Sequence, residues 1–499
     1  MRLRVRSESM RKSGILLPVF SIPSKYGIGG FGKAGYRFVD QLKEARQRLW
    51  QILPLGPTGY GDSPYQSFSS FAGNPYLIDL ELLQEDGLLT EEECRPAEMQ
   101  GIDYEYLYQT RFLILKKAYE RFSKESQSFL SFMAAENDWL DGYAQFAAIK
   151  EHFGGISLSA WPETIRKRQE PEFSELCSQL SEEILFQKFM QYLFYQQWKK
   201  LKEYANDKGI EIIGDLPIYV AYDSADTWIS PELFQLDENL NPKAVAGCPP
   251  DAFSETGQLW GNPLYDWEYH KKTGYAWWIK RIRHCCRLVD TVRIDHFRGF
   301  DEYYSIPYPS KTAEIGSWEK GPGMELFLAL ETACPRLSII AEDLGFLTES
   351  VLSLRDSTGF PGMKVLQFAF DAREESDYLP HNYPKNCVVY TGTHDNNTTV
   401  GWSGEASAQD IAFAKEYMGI PPADWNLCRG MIRLAMASVA DTCIIPLQDY
   451  LEEGEQSRIN TPSTMGNNWT YQMNPERLTP EVIAAIAHLT KLYGRCREE

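Results

Sequence analysis

Short apolar runs, each closed by polar or charged residues, recur along this chain. Eight stand out: Ile15–Phe20, Leu49–Leu55, Ile210–Asp215, Val289–Asp295, Leu337–Glu342, Met363–Phe370, Cys387–His394 and Cys443–Gln448. They are rich in β-branched residues, bounded by breakers and apolar without alternation, which predicts parallel strands buried on both faces. Helical patterns lie between them at Phe31–Ala45, Leu193–Lys208, Gly274–Leu288 and Trp425–Ala440. Strands alternating with helices in this way predict an α/β protein, a (β/α)8 TIM barrel.

The spacing of the runs is uneven. Residues 56–209 separate the second from the third, opening with a loop of Gly, Pro, Ser and Tyr at Gly56–Tyr76 and continuing as mainly helical sequence, including Thr110–Phe122 and Ser181–Gln197. This predicts a helical subdomain, 56–200, inserted into a single catalytic barrel that spans 1–499. A second, loop-rich insertion is expected at 219–270, over the active site. Insertions after strands fall on the C-terminal face of a barrel, where active sites are built. Thr479–Glu499 is too short for a C-terminal β-sandwich.

Charge then removes options. The 499 residues carry 50 Lys+Arg against 69 Asp+Glu, a net charge of −19. Without a basic run, such a chain repels phosphate backbones and anionic lipid surfaces, so neither nucleic acid nor membrane is expected as a partner. No apolar stretch is long enough to span a bilayer. Met1–Lys12 is basic but has no apolar stretch behind it and does not read as a secretory signal. Ten scattered Cys without a C-x-x-C pair suit reduced thiols in the cytoplasm, and argue against a zinc cluster. The 13 Trp, 28 Tyr and 25 Phe fit a packed core or rings lining a sugar groove, and composition does not choose between them.

Four runs end on or near a carboxylate: Asp215, Asp295, Glu342 and Asp395. Any one of them is accounted for by a turn or a cap. Four at one barrel mouth fit glycoside chemistry, in which one carboxylate is the nucleophile and another the acid/base. Arg293 precedes Asp295 by two residues, so strand alternation points both side chains the same way and the guanidinium would favour ionised Asp295. An internal salt bridge is the competing account of that pair. His296 and His394 abut two of the Asp, which raises a metal-dependent hydrolase. No H-x-H or H-E-x-x-H supports one, and His394-Asp395-Asn396-Asn397 also supplies donors for sugar hydroxyls. His152, His270, His284, His381 and His488 fit no motif. Gly27–Gly32 reads G-x-G-G-x-G, a tight turn into a helix rather than a dinucleotide loop. A P-loop and a G-x-S-x-G elbow are both missing from the sequence.

Longer segments carry a resemblance. GILLPVFSIPSKYGIGGFG (14–32), LGPTGYGDSPYQSFSSFAGNPYLIDL (55–80), IIGDLPIYVAYDSADTW (212–228), PDAFSETGQLWGNPLYDW (250–267), VRIDHFRGF (292–300), IIAEDLG (339–345) and TGTHDNNT (391–398) resemble the 4-α-glucanotransferases, or amylomaltases, of glycoside hydrolase family 77. The resemblance implies transfer of an α-1,4-glucan segment to the 4-OH of glucose or a maltooligosaccharide, with retention and without a cofactor or metal. It makes Asp295 the nucleophile, Glu342 the general acid/base and Asp395 the transition-state stabiliser. Arg293, His394, Asp215, Ser63, Tyr65, Trp260 and Asn468 become substrate-binding residues. Cys248, Ala252 and Gln472 depart from the family pattern and touch only acceptor-side detail. The alternatives are an α-glucan hydrolase and a non-catalytic glucan-binding barrel.

Overall fold

The computed structural model describes residues 11–59, 61–96, 101–250, 254–345, 347–419 and 426–496; the basic N-terminal decapeptide and Ala252 lie outside them. Twelve strands are found among the described residues: β1 Lys12–Leu16, β2 Leu49–Gln51, β3 Glu211–Leu216, β4 Ala244–Cys248, β5 Gln258–Pro263, β6 Thr291–Ile294, β7 Glu302–Pro307, β8 Ser317–Lys320, β9 Ile339–Ala341, β10 Gly362–Val365, β11 Cys387–Tyr390 and β12 Thr442–Pro446. Eight form one parallel sheet in the order β10-β11-β12-β1-β2-β3-β6-β9, the (β/α)8 barrel expected from the apolar runs.

The strands are shorter than the runs that announce them, because the tail of a run leaves the sheet. After β1, Pro18 cannot donate to a ladder, and Val19–Ser21 turns into a 3-10 helix. After β10, Leu366–Phe368 does the same. Val19, Phe20 and Leu366 in these tails stay buried, while Phe368 is exposed.

The barrel closes between β9 and β10. Ala341 N–H donates to Pro361 O at 2.9 Å. One turn further on, the buried Asp343 carboxylate accepts the Met363 N–H at 2.7 Å and pairs with Arg355 at 2.6 Å. A side chain thus supplies the cross-seam bond that the strands stop short of. Gly362 makes room for it: a Cβ there would lie 2.3 Å from the carboxylate.

Helices Lys33–Glu44, Ala276–Leu288 and Leu427–Ala437 pack outside the sheet where helical periodicity placed them. The G-x-G-G-x-G turn delivers Gly32 as the N-cap of the first. Between β2 and β3 the principal helices are Tyr104–Arg121, Gln127–Ala135, Asn137–His152 and Ser181–Asp207. Asp103 and Ser126 cap the first two through the N–H groups of Tyr106 and Phe129. The fourth helix is 27 residues long. Near its start Phe189 packs on Phe122 at 4.8 Å. Near its end Trp198 meets Phe31 at 5.2 Å, Lys202 pairs with Asp290 at 2.9 Å and Tyr204 donates to Asp40 at 2.7 Å, all outside the inserted helices.

The stretch 219–270 is more regular than its composition suggests. β4 and β5 lie in it and join β7 and β8 in an antiparallel sheet, order β5-β4-β7-β8. Gly247, Gly261 and an irregularity between Val245 and Gly247 interrupt the period-two pattern that would have revealed them.

All ten cysteines are free thiols, with Cys286 exposed on the helix Ala276–Leu288. No helix among the described residues is long and apolar enough to cross a membrane. Because Asp343 both pairs with Arg355 and closes the seam, Asp343→Ala leaves the buried Met363 N–H unpaired and the Arg355 guanidinium with only the exposed Asp356 as its carboxylate partner. Thermal denaturation should show a loss of about 3 kcal/mol.

Candidate active site

Register brings the carboxylates together. In the β3–β6 pair Asp215 stands opposite Arg293, and in the β6–β9 pair Ile294 stands opposite Ala341. The residues that follow, Asp295 and Glu342, therefore leave the barrel side by side. Arg293 is 3% exposed. Its Nη1 donates to both Asp215 oxygens, at 2.7 and 2.6 Å, and reaches Asp295 Oδ1 at 3.2 Å. Its Nε donates to the Met363 sulfur at 3.3 Å. Asp215 also accepts the Tyr65 hydroxyl at 2.8 Å.

Glu342 is fixed by backbone. Its Oε2 accepts the N–H of His296 at 2.6 Å, and its Oε1 that of Leu344 at 2.9 Å. His296 holds a left-handed φ of 51°, uncommon for a residue with a side chain. This turn points the N–H after Asp295 at Glu342, tying the two carboxyl-bearing loops together. Trp260, on β5, meets the His296 ring edge-to-face at 4.8 Å, so the antiparallel sheet reaches the mouth at this point.

A second group gathers after β11. The rings of Tyr65 and His394 stack, 5.1 Å apart and 12° from parallel. Trp469 leans over both, at 5.8 and 6.0 Å. Trp469 holds a φ of 64°, a strained value for so bulky a residue. Asp395 lies beside His394, Oδ2 to Nε2 3.4 Å, and its Oδ1 accepts the Asn460 amide at 2.6 Å. Buried Asp449 holds the loop from below by accepting the Thr399 N–H and the Thr399 hydroxyl, each at 2.7 Å, together with the Thr391 hydroxyl.

The fold and sequence around this mouth can be set beside those of known proteins. The family profile of 4-alpha-glucanotransferase matches residues 17–479. The chain belongs to that family. The 4-alpha-glucanotransferase of Clostridium butyricum is 48% identical over 488 residues, covering 96% of this chain and 99% of that one. That of Streptococcus pneumoniae serotype 4 is 47% identical over 496 residues, 98% of each. The structure of an amylomaltase from Streptococcus agalactiae in complex with acarbose superposes with a TM-score of 0.95 at 43% identity, covering 98% of this chain and 100% of that one.

Most residues singled out in the sequence of this 4-alpha-glucanotransferase family member share one mouth. Tyr65, Asp215, Arg293, Asp295, His394 and Asp395 are linked by direct contacts, and Glu342 and Trp260 join them through His296. Two residues are used locally. Ser63 Oγ accepts the Tyr65 N–H at 3.3 Å, shaping the turn. Asn468 accepts the Thr461 N–H at 2.9 Å and donates to Thr464, closing its own loop. Its neighbour Trp469 is the residue that faces Tyr65 and His394. Trp469 and Asn460 were not singled out, since neither ends an apolar run; the GNNW and RINT segments gave no periodic signal.

Electrostatics modifies one expectation. Arg293 was expected to hold Asp295 ionised, but its two shortest contacts go to Asp215. Burial pushes the Asp295 carboxyl well above the usual carboxylate range. Arg293 opposes this, while Asp215, Glu342 and Asp395 add to it. Burial also raises Glu342, against Arg293 and the N–H groups of Leu344 and His296. The two carboxyls titrate as a pair that keeps one proton to a higher pH than either would alone. Water reaching the 27% of the Asp295 side chain that is open to the mouth tempers its share of the shift. Burial keeps His394 neutral and Tyr65 protonated as a donor.

Asp215→Asn should remove one negative neighbour and free Arg293 for Asp295. Both effects favour ionised Asp295, so the acid limb of the rate profile should move to lower pH, read from initial rates on maltotriose. An unmoved limb would mean that Arg293 does not divide its charge between the two aspartates.

Proposed function

We propose that Asp295 is the nucleophile, Glu342 the general acid/base and Asp395 the transition-state stabiliser of 4-α-glucan transfer. The observation that supports this reading is the bond from the His296 N–H to Glu342, which holds the Glu342 carboxyl against the residue next to Asp295 at a common mouth. In the first step Asp295 attacks the anomeric carbon of an α-1,4-glucan while Glu342 gives its proton to the departing O4. A β-linked glucosyl-enzyme forms and the reducing-end fragment leaves. In the second step Glu342 takes the proton from the 4-OH of glucose or a maltooligosaccharide. That oxygen displaces Asp295 and restores the α-linkage, so two inversions give retention.

The reaction needs an anion on Asp295 and a proton on Glu342. The pair as a whole retains one proton, and Arg293 touches Asp295 rather than Glu342, which biases the charge as required. Asp215, Tyr65, Arg293 and His394 line the donor side, where the neutral imidazole and the phenol offer hydrogen bonds to sugar hydroxyls. Trp260 comes in from the stretch 219–270, which arches over the site. Ser63 and Asn468 shape the loops that bring Tyr65 and Trp469 to the glucan. The substrate is an uncharged polymer, so a net charge of −19 does not oppose its approach. Ten free thiols support a reducing compartment, the cytoplasm.

Maltotriose alone tests the activity. Glucose together with a ladder of longer maltooligosaccharides is expected; glucose and maltose without a ladder would indicate hydrolysis. Asp295→Asn should lower turnover at least about a thousandfold, and a glucan-binding barrel without chemistry would show no turnover in either protein. In the pH profile the rate should fall at the acid end, as Asp295 takes up a proton. It should fall again at the alkaline end as Glu342 loses its own, and that limb should lie above the ordinary glutamate value of 4.5 because burial raises it.

A further inference from the structure

Asp395 is gripped by a segment distant in sequence. Arg458 and Asn460 run alongside His394 and Asp395. Asn460 N–H donates to His394 O at 3.1 Å. Arg458 Nη2 donates to Asp395 O at 2.8 Å, and its Nε to Asn460 O at 2.8 Å. The Asn460 side chain donates to Asp395 Oδ1 at 2.6 Å, the shortest of these contacts. The far side of the segment is tied to Trp469, whose N–H donates to Ile459 O at 2.7 Å. Asp395 is thus held at its backbone by Arg458 and at one carboxylate oxygen by Asn460. Its other oxygen, Oδ2, lies toward His394.

We propose that Asn460 is a positioning residue for catalysis: it fixes the rotation of the Asp395 carboxylate, so that Oδ2 is presented to the sugar ring in the transition state. This rests on the role assigned above to Asp395. The side-chain torsion next to a carboxylate is broad and close to twofold, so packing alone sets it poorly. Asp395 has 43% of its side chain open, and a half-open carboxylate without a directed donor would sample several rotations. An amide is the fitting donor here. It cannot compete for a proton, and it delivers an N–H without adding a positive charge beside Arg458. The charged and titratable groups around this carboxylate are His394, Asp295 and Tyr65 at the mouth, with Arg458 on its backbone carbonyl and, 4.0 Å beyond Arg458, Glu405.

Four proteins test it on maltotriose: Asn460→Ala, Asn460→Asp, Asp395→Asn and the double variant Asp395→Asn with Asn460→Ala. Asn460→Ala should lower kcat by about tenfold to a hundredfold while KM moves less than about threefold, because a carboxylate free to turn is lost mainly to the transition state. Asn460→Asp keeps the size of the side chain but sets two carboxyls oxygen to oxygen, and they must share a proton to remain in contact. Its activity should therefore survive only toward acid pH, falling as pH rises well before the wild-type profile does. In the Asp395→Asn background, adding Asn460→Ala should change the residual rate less than twofold, since the residue acts through Asp395.

If Asn460→Asp keeps the wild-type kcat and pH profile, the proposal is overturned, and this holds even if Asn460→Ala does not fold. A full further loss in the double variant also overturns it, by showing that Asn460 acts independently of Asp395. If Asp395→Asn alone retains wild-type turnover, the failure lies in the role given to Asp395 rather than in the contact.

Discussion

The Arg293 guanidinium stands inside the barrel rim with Asp215 against it and Asp295 just above. Burying carboxylates in such number without a counter-charge would cost several kcal/mol for each ion. One buried cation makes the arrangement tenable, and its placement is a matter of register. The β3–β6 pairing sets Asp215 opposite Arg293, and the two-residue period of a strand carries Asp295 to the same side. The β6–β9 pairing then brings Glu342 level with Asp295. A slip of one residue in β6 would turn Arg293 into the surrounding layer of side chains and leave the carboxylates uncompensated. The chemistry of the mouth and the closure of the barrel are therefore one constraint.

Around that centre, buried acids and amides take over where strands end. Asp343 closes the β9–β10 seam and Asp449 carries the loop of His394 and Asp395. Asp226 accepts the Ser70 N–H at 2.7 Å. Gln191 satisfies both the N–H and the carbonyl of Gly73, and Gln197 accepts the Asp79 N–H. Irregular backbone at the mouth cannot pair with itself, and a single side-chain oxygen can serve two or three N–H groups at once. Part of the acidic surplus thus lies inside the protein as loop anchors rather than as a solvated surface.

The barrel was legible because its signal is local. Eight runs without alternation, spaced by helical patterns, read as buried parallel strands although any one of them could also be a buried helix segment, and the carboxylates at their ends pointed to the mouth. Gly261 and the irregularity beside Val245 hid β4 and β5, since an interrupted alternation looks like loop. The partners of the site residues were harder to foresee. Arg293 could be paired with Asp295 from spacing alone, but its shorter bond to Asp215 depends on a partner 78 positions away. Asn460 lies 65 positions from Asp395, in a segment with neither periodicity nor strand. What escapes the sequence is the contact made across loops, where no repeating geometry links one position to another.

The helix Ser181–Asp207 has a mechanical consequence. Its 27 residues extend about 40 Å without a break. One end is embedded among the inserted helices, the middle grips the backbone of Gly73 and Asp79 through Gln191 and Gln197, and the other end is bolted to the barrel wall by Lys202 and Tyr204. A continuous helix transmits displacement along its axis and offers no hinge. The insertion and the barrel therefore behave as two ends of a single strut, so that a displacement of one is carried to the other. What freedom the mouth has falls to the loops that bear Tyr65 and Trp469, leaving the scaffold behind them unmoved.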